Sequence, residues 1–75
     1  MNQETFNLSI RKFLKMVGIN SQREIERAVE KALAEGKLSG DETLPVKMTL
    51  QLAELQLKVD FEGEIELERD STAQT

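Results

Sequence analysis

The stretch "MVGINSQREIERAV" (residues 16–29) decides how many helices the chain contains. Gly18 is the residue type that most readily takes left-handed backbone just beyond a helix C-terminus. "SQRE" (21–24) then reads as a capping box, in which the Ser21 hydroxyl accepts from the Glu24 amide and Glu24 reaches back. On this reading one helix ends at Val17 and a second begins at residue 22. Only Gly18, Ile19 and Asn20 lie between the first helix and the Ser21 cap, which predicts a tight helix–turn–helix corner.

Apolar spacing on either side agrees with two helices. Phe6, Ile10, Phe13, Leu14 and Val17 recur at three- and four-residue intervals, predicting a helix over 3–17 with Asn2 as N-cap and Glu4 in the positive first turn. Leu8 falls on the opposite face. Ile25, Ala28, Val29, Ala32 and Leu33 carry the pattern through a helix over 22–35, which Gly36 terminates.

After the polar connection "GKLSGDETLP" (36–45), where Leu38 and Leu44 are the expected anchors, the hydrophobic period changes to two. Val46, Met48, Leu50 and Leu52 share one parity, and Leu55, Leu57, Val59 and Phe61 the other. A two-residue turn at Ala53-Glu54 would put both sets on one face, pairing Leu50 with Leu57, Met48 with Val59, Val46 with Phe61 and Lys47 with Asp60. Ala-Glu is a poor turn dipeptide, so a bulged or longer loop around 53–56 is the alternative. Strands are expected over 46–52 and 55–68. In the first register residues 63–68 have no partner on strand one, so strand two either runs on or breaks at Gly63. Residues 70–75 have nothing to bury and are expected to be a disordered tail. The predicted fold is α+β: a helix–turn–helix corner packed on one face of an antiparallel hairpin or short meander, as a single domain over 1–69. Its expected core joins Phe6, Ile10, Phe13, Val17, Ile25, Val29 and Leu33 to Met48, Leu50, Leu57, Val59 and Phe61.

Composition narrows the chemistry. The 75 residues contain no His, Cys, Tyr or Trp, which removes thiolate and imidazole metal ligands and leaves only carboxylates or lysines as bases. No enzyme is expected, and no cofactor. "GKLSG" follows a helix and lacks phosphate-loop spacing. The N-terminus has neither the basic start nor the apolar run of a signal peptide, and no segment reaches the roughly 20 apolar residues of a membrane span. A cytoplasmic protein without membrane contact is expected.

The net charge of −4 is unevenly spread: residues 1–40 carry seven Lys/Arg against five acids, and residues 41–75 three against nine. "KVDFEGEIELERD" (58–70) concentrates the acids, with Asp60, Glu62, Glu64, Glu66, Glu68 and Asp70 on one parity. Carboxylates two apart on a strand lie roughly 6–7 Å from one another, yet the calcium-loop pattern is missing, so the row reads as the solvated side of a one-sided sheet. Arg23, Arg27 and Lys31 form a row at i, i+4, i+8 that resembles the second helix of a helix–turn–helix with the hairpin as its wing. Glu24, Glu26 and Glu30 interrupt it, so a solvated helix face is the simpler reading and nucleic acid an unfavoured partner. A winged-helix-like nucleic-acid binder is the alternative function.

"MNQETFNLSIRKFLKMVG" (1–18), "SQREIERAV" (21–29), "GDETLP" (40–45) and "GEIELE" (63–68) together resemble a family of short bacterial proteins of unknown function. The resemblance spans residues 1–68. It implies a bacterial cytoplasmic origin and a compact fold, and brings no catalytic residue. The function expected is therefore that of a non-catalytic protein-interaction or regulatory module. Its candidate partner-binding residues are Arg23, Arg27, Lys31, Ile65 and Leu67, the last two because an unpaired 63–68 segment predicts a homodimer that salt strengthens.

Overall fold

A computed structural model describes residues 1–68. The expected disordered tail at 70–75 lies outside the described residues. The chain divides into two compact units, Met1–Lys37 and a second beginning at Leu38.

The first unit is a single helix, α1, Gln3–Ala34. At 1.5 Å per residue its 32 residues run about 48 Å. The expected helix–turn–helix corner is absent: residues 18–21 continue the helix. Gly18 has no positive φ and a Cβ there would meet nothing within 4 Å. Ser21 is not an N-cap, and the Asn20 side-chain amide donates to the Met16 carbonyl, 2.9 Å away, one turn back in the same helix. The physical reason lies in the ends that a break creates. Each new terminus would leave four N–H or four C=O groups without helical partners, of which one capping box and one glycine satisfy only part. Keeping Gly18 inside the helix costs only about 1 kcal/mol relative to alanine.

The true ends follow local chemistry. Asn2 is extended, and its Oδ1 accepts from the Thr5 N–H at 3.0 Å. At the C-terminus the Gly36 N–H donates to Leu33 and the Lys37 N–H to Ala32, at 3.1 and 2.8 Å. With Gly36 at φ 75° this is a Schellman cap, in which glycine takes the left-handed position.

The second unit is a two-stranded antiparallel hairpin of β1 (Thr43–Leu52) and β2 (Leu57–Glu66). The connection is four residues, a 3₁₀ turn at Ala53–Leu55 followed by Gln56 in left-handed backbone at φ 54°, so the longer-loop alternative holds. Leu55 leaves the strand for the turn, where it is 73% exposed. The register shifts by two from the expected one: Leu52 faces Leu57, Leu50 Val59, Met48 Phe61, Lys47 Glu62, Val46 Gly63 and Leu44 Ile65. A shift of two preserves side-chain parity, so the faces survive while every pair changes. Leu44, Val46, Met48, Leu50, Leu52, Leu57, Val59, Phe61 and Ile65 share the apolar face. Strand two neither overhangs nor breaks at Gly63. It pairs along its length, and the Leu67 N–H donates to the Glu42 carbonyl at 3.0 Å.

No residue among those described is buried, including every member of the expected core. Val17, Ile25 and Val29 on α1, and Leu44, Val46, Leu50 and Ile65 on the hairpin, are half-buried. Phe6, Ile10, Phe13, Met48 and Phe61 are exposed.

Candidate functional site

Arg23, Arg27 and Lys31 lie along α1 as expected, but on an uninterrupted helix rather than on the second helix of a corner. The corner-dependent likeness to a winged helix falls with it. Arg27 Nη1 stands 3.5 Å from Glu24 Oε2, with both side chains about three-quarters exposed, so the pair is solvated and weak. The Gln22 amide donates to Glu26 at 3.4 Å. These residues form a mixed polar face.

Ile65 and Leu67 are half-buried, and their backbone is already engaged within the hairpin. The unpaired segment that was to drive dimerisation through them does not exist. On the opposite face Thr43, Pro45, Lys47, Thr49 and Gln51 stand across from Glu66, Glu64, Glu62, Asp60 and Lys58. The Thr49 hydroxyl donates to Asp60 Oδ1 at 2.6 Å. Among the described residues no group of three or more acids is arranged to hold a metal ion.

The hydrogen-bond alternation distinguishes two kinds of backbone position. In an antiparallel pair, residues that exchange bonds alternate with residues whose N–H and C=O point outward. The Leu67–Glu42 bond puts positions 42, 44, 46, 48, 50 and 52 among the inward set of β1. Thr43, Pro45, Lys47, Thr49 and Gln51 therefore present their backbone to the free edge. Pro45 sits where a missing N–H breaks no ladder bond, as strand proline requires. On β2 the outward set is Lys58, Asp60, Glu62, Glu64 and Glu66. One free edge is acidic, and the other is neutral apart from one lysine.

Sequence reasoning missed the turn before β1. The Glu42 carboxylate accepts from the Ser39 N–H at 2.9 Å and the Gly40 N–H at 3.0 Å, while Ser39 Oγ lies 2.8 Å from Asp41 Oδ1 and 3.1 Å from Glu42 Oε2. These amides, Ser39 first and Gly40 next, lower the Glu42 pKa to about 2. Gly40 has φ 107°, backbone that glycine takes freely. The signal was legible in "SGDE" (39–42), a small-residue turn followed by an acid. The arrangement uses its polar groups on itself and serves to fix the entry into β1.

No helix among the described residues is long and apolar enough to cross a membrane. Residues 1–68 match the model of a family described as a family of unknown function (DUF6494), and the chain belongs to that family. No curated protein and no solved structure matches the chain.

Proposed function

We propose that this member of a family without an assigned activity is a non-catalytic, cytoplasmic interaction module, regulatory in role, whose first partner is a second copy of itself. One observation carries the reading: the apolar face of a two-stranded hairpin includes Met48, Leu52, Leu57, Val59 and Phe61, all exposed. Two strands alone are marginally stable in water, and further strands or a helix packed on the apolar face are needed for independent stability. A small domain without disulfides or thiolate and imidazole metal ligands gains that support by association. The lack of His, Cys and Tyr supports a non-catalytic role.

Sedimentation equilibrium from micromolar to hundreds of micromolar tests the proposal. A mass rising toward twice 8.5 kDa is expected. A strict monomer across that range, at low and high salt, refutes it.

A further inference from the structure

Resting on the self-association just proposed, we infer that two copies join through the free edge of β1, antiparallel about a two-fold axis at Thr49, to form one four-stranded sheet. The two hairpin edges differ in chemistry. Joining β2 to β2 sets carboxylates of Asp60, Glu62, Glu64 and Glu66 against one another, and like charges directly opposite are destabilising. Joining β1 to β2 leaves an unused edge at each end, so it adds copies without closing. Joining β1 to β1 closes after two copies. It also leaves the acidic edges outermost, where charge discourages further addition.

Pro45 and the end of β1 at Leu52 together select the register, Thr49 giving the longest ladder that leaves Pro45 outside. Outward positions of β1 must meet outward positions of its copy, and Pro45 has no N–H to give. Centring on Thr49 pairs Thr49 with itself, Lys47 with Gln51 of the partner subunit, and Val46 with Leu52 of the partner subunit. Pro45 then falls opposite Ala53, beyond the end of β1 at Leu52. Centring on Lys47 instead would set two lysines together and leave Pro45 inside the ladder. In the Thr49 register Met48 stands across from Leu50 of the partner subunit, so the two apolar faces become one surface. Thr–Thr cross-strand pairs are among the favourable ones.

The chain has no cysteine, so Thr49→Cys introduces a sole thiol. Hydrogen-bonded antiparallel partners have Cα atoms about 5.5 Å apart, inside the span a disulfide bridges. Mild oxidation is expected to link Thr49→Cys into a covalent dimer about tenfold faster than Glu62→Cys, which sits on the outer edge. Thr49→Lys supplies the second arm. It faces Asp60 within its own hairpin, so folding is favoured, but it meets its own copy across the axis. Its dimer should dissociate about fivefold more readily with unchanged circular dichroism. Faster linking of Glu62→Cys, or a Thr49→Lys dimer as tight as wild type, overturns the β1 edge while leaving self-association standing. A monomeric wild type removes both.

Discussion

Gly18→Ala separates a continuous helix from a two-helix corner more sharply than any other single change. Inside a helix, glycine is about 0.8–1.0 kcal/mol less favourable than alanine because it loses more backbone freedom on folding. Nothing lies within 4 Å of the added Cβ, so no steric cost offsets the gain. The substitution is expected to stabilise the helix by about 1 kcal/mol. In a left-handed cap the same change would cost about 1–2 kcal/mol. The two outcomes differ in sign. Gly36→Ala is the matched control, since Gly36 has φ 75° and also has open space around it. It should lose about 1–2 kcal/mol through backbone strain alone. Urea and thermal unfolding followed by far-UV circular dichroism read both variants against wild type. A lowered midpoint for Gly18→Ala would refute the continuous helix, whatever Gly36→Ala does.

Ser21→Ala, which would cost about 1 kcal/mol at an N-cap, should instead be neutral or stabilise by up to ~0.5 kcal/mol, read from the same urea midpoints; a loss near the cap value contradicts it. Because Glu42 titrates at about 2 when folded against an ordinary 4.5, the turn is fully supported above about pH 4.5 and loses that support as pH falls toward 2. Carboxyl-carbon NMR should place its midpoint there, and Glu42→Gln should expose the Ser39 and Gly40 amides to exchange at neutral pH; an ordinary Glu42 midpoint refutes the amide contacts. Gln56→Gly relieves left-handed backbone and is expected to raise stability by about 0.5–1 kcal/mol, whereas Gln56→Val should lower it, both by thermal unfolding. Mixed-sequence duplex DNA at low salt should show no mobility shift with micromolar protein; a salt-sensitive shift abolished by replacing Arg23, Arg27 and Lys31 with alanine would make nucleic acid the favoured partner.

What the sequence determined by itself is what short-range periodicity encodes. Alternation over Val46–Leu52 and Leu57–Phe61 assigns those strand residues to the apolar or the polar face, and a register shift by two leaves that assignment intact, although Leu55 goes to the turn. Asn2 and Gly36 mark the helix ends because capping satisfies backbone groups within a few residues. The Glu42 turn is local as well, since four consecutive residues supply both the carboxylate and the amides that donate to it. The register was not local. It depends on Gln56 accepting left-handed backbone, which lengthens the turn to four residues and moves Lys47 from Asp60 to Glu62. That change also pairs Ile65 and joins Leu67 to Glu42, removing the overhang on which the first dimer interface was predicted. The Gly18–Glu24 junction was a contest between two arrangements that differ by only a few kcal/mol. Local signals favoured a break at about 1 kcal/mol each, and the hydrogen bonds of an unbroken 32-residue helix outweighed them. Only the three-dimensional structure decides such a contest, because the backbone groups that a break would orphan belong to residues on both sides of it.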